Sequence, residues 1–253
     1  MKRDPQFLDA ELSVFPPAFP LVVDAVPADR AAFIRRTYSH LSGAILAFTV
    51  LEAIAQQTGL PAFGLKFLGV SWFAWLMVMA GFTAIARIAE AWADSNMSRH
   101  QQYLGLGVYV LAEALLFAPL LRLAQYYWGT AVIYSAALLT LMLFTGLTVA
   151  VFAIQLDFDW IQAAFYLGGF LAFGLIVCTI VLGFQFGVII SAATILLGAG
   201  SIVYQTSSVM NRYRTDQHVA ASLALFAAIA LLFWYVVRVF IWLRSRRRSE
   251  ATS

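Results

Sequence analysis

The stretch Ser201-Ile202-Val203-Tyr204-Gln205-Thr206-Ser207, then Met210-Asn211-Arg212-Tyr213-Arg214-Thr215-Asp216-Gln217-His218, then Val219-Ala220-Ala221-Ser222-Leu223, decides the fold. Two long apolar runs flank a short basic connector, the most polar segment between the N-terminal arm and the C-terminal tail. The second run carries no charge from Val219 to Val237. At 1.5 Å per residue it reaches about the roughly 30 Å of a hydrocarbon core. The two runs make a membrane hairpin, and the whole chain reads as membrane-embedded.

Composition outside the hairpin agrees. The 253 residues are 62% hydrophobic and 11% charged, with a mean hydropathy of +0.82. A soluble domain carries roughly 25% charged residues to build its polar shell. The net charge is +3, but the bases sit in the arm, the connectors and the tail without interleaved exposed aromatics, so nucleic acid is not an expected partner. The partner implied is a lipid bilayer. Cys178 lies in an apolar run and has no second cysteine to pair with. Residues 1 to 30 hold Asp4, Asp9, Glu11, Asp24 and Asp29 among five prolines, with no secretory core. They read as a cytoplasmic lead lying along the membrane surface through Phe15, Phe19 and Val22-Val23.

Apolar runs read against breakers give an all-α polytopic protein with about seven spans, near residues 38 to 57, 67 to 92, 103 to 124, 130 to 154, 161 to 183, 186 to 208 and 218 to 243. The organisation is an N-terminal arm over 1–36, a membrane domain over 37–243 and a basic tail over 244–253. Lys2, Arg3, Arg30, Arg35 and Arg36 precede the first span while the next connector offers only Lys66, which places the N-terminus in the cytoplasm. Seven spans would put Arg244, Arg246, Arg247 and Arg248 outside. Either the early spans fix the topology or the last span does not fully cross. Small residues at Gly168-Gly169, Gly174 and Gly198-Ala199-Gly200-Ser201 are expected to serve helix packing.

The pattern Tyr204-x-Thr206-Ser207, a basic connector, Thr215-Asp216-x-x-Val219-Ala220-Ala221-Ser222-Leu223 and a helix ending near Arg238 resembles the C-terminal half of the Bax inhibitor-1 family. Arg35-Arg36-Thr37-Tyr38-x-His40-Leu41-x-Gly43-Ala44 resembles that family's approach to its first helix. The resemblance covers roughly residues 33 to 242. It implies a seven-helix bundle with the last helix at its centre, residence in a bacterial inner membrane, and passive permeation of cations, calcium in particular. It also implies an alternative, a non-conducting regulator of a membrane-anchored ATP-dependent protease, which the long proline-rich arm would suit.

Ionisable side chains at membrane depth are costly and therefore candidates for function. Glu52 in the first span and Glu113 in the third have no base within a turn, so each must meet a partner, reach water or hold a proton. Either could handle calcium or protons; Tyr109 could satisfy Glu113 locally. Arg87 and Glu90 share a helical face and are expected to pair. Arg238 can snorkel to the interface, and the resemblance gives it a packing role. The calcium-leak relatives carry an aspartate after the tyrosine of span six and another inside span seven, a proton-sharing gate. Here those positions are Gln205 and Ala227. Gln205 can line a route but cannot titrate, so flux is expected to vary little with pH. Asp216 more simply serves the start of its helix.

Enzymatic chemistry finds no support. His40, His100 and His218 are scattered without metal-ligand spacing, so neither a metal nor a cofactor is expected. Asp157 and Asp159 read as loop carboxylates opening a helix, and no Gly-x-Ser-x-Gly elbow occurs. The only lysines, Lys2 and Lys66, lie outside the last span, which excludes a retinal Schiff base.

Overall fold

The computed structural model describes residues 19–94, 97–154 and 187–250, with side chains over 19–94, 97–153 and 195–244. Within these residues the chain forms seven helices: α1 Pro27–Gln56, α2 Leu60–Val70, α3 Trp72–Ala93, α4 Arg99–Trp128, α5 Thr130–Ile154, α6 Gly187–Asn211 and α7 His218–Glu250. The expected fifth span, Cys178, the Asp157 and Asp159 pair and the glycines at 168, 169 and 174 lie outside the described residues.

Local chemistry explains where the helices differ from the expected spans. Pro27 fills the first position of α1 and Asp29 its first turn, both favourable at a helix N-terminus. The helix therefore begins nine residues ahead of the arm's expected end at 36. Ser71, in an extended conformation, accepts a hydrogen bond from the Ala74 amide and caps α3. That cap divides the apolar run near 67 to 92 into α2 and α3. Ser98 and Gln101 form a reciprocal capping box at the start of α4. Gly129, with φ of 75°, ends α4 in the left-handed region that favours glycine.

Five of these helices, α1, α3, α4, α5 and α7, are long and apolar enough to cross a membrane. Large apolar side chains such as Trp72, Val70, Leu138 and Met142 are exposed on the bundle, as a hydrocarbon solvent permits and water does not. Packing centres on α7, which contacts α1, α3, α4, α5 and α6. Leu225, Leu232, Val236 and Val237 on α7 are fully buried. Around them Phe117 stacks on Phe233 with ring centroids 5.4 Å apart, while Phe48 meets Phe117 edge-on at 5.2 Å.

Glycines set two of the close crossings. A Cβ on Gly105 would lie 2.5 Å from the Ala89 carbonyl oxygen, so α4 and α3 touch backbone to backbone. One on Gly198 would lie 3.1 Å from Leu232, which lets α6 approach the central helix.

At its described end the arm packs against the rest of the chain, so Val22 is not available to a membrane surface while Phe19 and Val23 stay exposed. Val22 is completely buried, its amide donates to the Tyr213 carbonyl at 2.9 Å, and the Thr215 amide donates to the Pro20 carbonyl at 3.1 Å. These bonds pair Leu21 with Arg214 as an isolated antiparallel bridge. The Arg30 guanidinium folds back to the Val22 and Val23 carbonyls. Residues 19–26 thus form a strap across the α6–α7 connector. Burial there, with Tyr204 and Glu90 nearby, pushes the Tyr213 hydroxyl up to about 12.

Candidate functional site

Glu52 sits on the inner face of α1, in line with buried Phe33, Thr37, Leu41 and Ala44. It is only 6% exposed. One turn on, the Gln56 amide nitrogen donates to Glu52 Oε2 at 3.3 Å and to the Ala118 carbonyl of α4 at 3.1 Å. Both Gln56 donors are thereby used, which fixes the amide so that its own oxygen faces away from them. Glu52 Oε1 and Gln56 Oε1 are buried without any hydrogen-bond partner, and so is Gln125 Oε1 on α4.

All three side chains line a cavity of about 380 Å³ between α1, α4, α5 and α7. Thr49, Thr130, Tyr134 and Thr140 add polar groups, while Phe226, Ile229 and Phe233 form the α7 wall. The Thr140 hydroxyl donates to its own helix at the Ala136 carbonyl, 2.8 Å away. An acceptor left unpaired costs roughly 1–3 kcal/mol. Three of them around one cavity favour an occupant that is positive or can donate hydrogen bonds. Oxygen donors from a carboxylate and amides are the ligand type of hard cations such as calcium.

Glu113 is equally buried but differently placed. It hydrogen-bonds Tyr109, one turn earlier on α4, as the spacing suggested. Tyr109 packs edge-on against Phe82 of α3 and Phe226 of α7. At 3.6 residues per turn Gln125 points about 120° away from Glu113 around α4, and Glu113 does not line the cavity. The two carboxylates therefore do not share a site. Gln205 is half-buried on α6, near the connector end, and is not part of the cavity lining either.

The remaining candidates lie away from the cavity lining. Arg87 and Glu90 form an exposed ion pair at 3.4 Å. Asp216 lies two residues ahead of α7 and faces Arg214 at 3.4 Å, closing the connector on itself. Arg238 is exposed toward the far end of α7. The histidines are less scattered than their spacing suggested: His40 and His218 bring their rings to 5.2 Å. No group of three or more histidine, cysteine or acidic residues able to hold a metal occurs among the described residues.

Sequence reasoning named Glu52 but not its companions. Gln56 carried a signal, since positions i and i+4 share a helical face. Gln125 carried none, because its nearness to Glu52 depends on how α1 crosses α4.

Apolar helices packed about a buried central helix, with two carboxylates held inside, define a polytopic α-helical membrane protein. The family described as "Inhibitor of apoptosis-promoting Bax1" matches residues 30–246, and the chain belongs to it. No curated protein gives a significant match.

Proposed function

We propose that this protein is a non-enzymatic, passive cation leak with calcium as its ion, residing in a bacterial cytoplasmic membrane with its N-terminus in the cytoplasm. One observation carries the reading: Glu52, Gln56 and Gln125 leave three buried oxygens unpaired around one cavity against α7. A carboxyl group with neutral oxygens beside it can bind a cation in its ionised form, and an incomplete ligand set lets the ion leave again. Gln205 and Ala227 supply no carboxylate pair, so the route lacks the di-aspartate gate of the family's calcium-leak members.

The test is calcium entry into proteoliposomes containing the purified protein, its Glu52→Gln variant and a Gln205→Asp/Ala227→Asp variant. The expected result is flux in the wild type, loss in Glu52→Gln, and a new pH dependence in the double variant. A silent wild type beside a conducting double variant would overturn the leak reading. It would favour instead a non-conducting regulator of a membrane partner such as a membrane-anchored protease.

A further inference from the structure

A second feature lies on the outer surface of the bundle and is independent of the cavity at Glu52. Along the seam between α1 and α4 runs an open groove of about 740 Å³. Its length is apolar, with Ala47, Val50 and Leu51 from α1 facing Leu106 and Val110 from α4. Gly43 and Gly107 also line it, and a Cβ added to either would meet nothing within 4 Å among the described residues. The groove is thus deepened by two missing side chains, one on each helix. It opens among the membrane-facing residues, so its natural content is hydrocarbon.

One end is different. There Ser39, His40 and Tyr103 line the groove. The His40 ring stacks on Tyr103 at 5.4 Å, its Nε2 is 3.3 Å from the Tyr103 hydroxyl, and its Nδ1 is held by the Arg36 carbonyl at 2.6 Å. His218 of α7 closes on His40 from behind. Arg36 and Arg99 both lie near enough to act on His218 electrostatically, and both are exposed. Among the described residues no salt bridge holds either guanidinium. Arg36 and His40 of α1 and Arg99 of α4 therefore converge at one end of an apolar groove, with the buried His218 of α7 packed against His40.

We propose that this groove binds one anionic glycerophospholipid, its acyl chain lying over Gly43 and Gly107 and its phosphate held by Arg36, Arg99 and the His40–Tyr103 pair. A zwitterionic lipid would bring its own cation into the same basic cluster, whereas an anionic headgroup presents its phosphate with no cation of its own. Guanidinium groups suit phosphate through paired N–H donors. Acidic lipids of a cytoplasmic leaflet reward each such base by an additive contribution.

The test is native mass spectrometry of the purified full-length protein in detergent with phosphatidylglycerol or phosphatidylcholine of identical acyl chains. The expected result is one retained lipid, with phosphatidylglycerol preferred by on the order of tenfold. Arg36→Ala/Arg99→Ala should abolish that preference while leaving phosphatidylcholine retention unchanged. Gly43→Leu/Gly107→Leu should reduce retention of both lipids, since the new side chains occupy the acyl path, and should not unfold the protein because the space is open. Equal retention of the two lipids by the wild type would overturn the proposal. So would a headgroup preference that survives loss of both arginines, or full competition by inorganic phosphate.

Discussion

The two buried carboxylates, Glu52 and Glu113, are alike in the sequence and opposite in the structure. Each is an acid near the middle of a long apolar helix, and each is about 6% exposed. Glu113 is closed: Tyr109 from its own helix bonds it, and Phe82 and Phe226 cover that tyrosine. Glu52 is open, because its amide neighbour satisfies one oxygen and leaves the other without a partner in a side chain that lines a cavity. Burial alone therefore says little about role. What separates a structural acid from a functional one is whether the groups around it complete its bonding.

Substitutions should divide the two acids accordingly. The largest effect is expected from Glu52→Gln, which removes the one acidic group among the described residues of the cavity lining; calcium flux in proteoliposomes should fall about tenfold or more, the change that ~1.4 kcal/mol of lost cation stabilisation produces. Glu113→Gln should leave flux within about twofold, and equal losses in both variants would erase the distinction drawn here. Glu113→Leu, by contrast, strands the Tyr109 hydroxyl and should cost about 1–3 kcal/mol of stability, read from the denaturant midpoint in detergent. Gln125→Leu deletes a neutral oxygen and should reduce flux only a few-fold, on the scale of about 1 kcal/mol for a single neutral hydrogen-bonding group. The smallest response is that of Gln205, which cannot titrate and so should contribute nothing to the pH dependence of flux between about pH 6 and 8. A sigmoidal response that disappears in Glu52→Gln would move the gate into the cavity.

The sequence conveyed the architecture because membrane spans are written as long runs of one composition. The hairpin around Arg212 and Arg214 and the pairing of Arg87 with Glu90 were legible in the residues, and the centrality of α7 came from the family resemblance. Ser71 was not, since one capping serine inside an apolar run looks like any other small polar residue until its side chain is seen to accept from Ala74. The strap was missed for a different reason. Val22 and Val23 look like a surface anchor, yet burial of Val22 depends on a partner near the other end of the chain. Gln125 and the His40–His218 approach were likewise invisible because they arise from helix crossings that no local pattern encodes.

The strap also bears on the order of assembly. Pro20 and Val22 precede every described helix in the chain, whereas the Tyr213 and Thr215 backbone groups they bond follow six of the seven described helices. Contacts this distant in sequence close late, because the intervening chain must be ordered first. The segment over residues 19–26 can dock only once α6 and the connector that follows it have been made. Closure of the strap is thus a mark of completion, one that a chain truncated before the connector can never acquire.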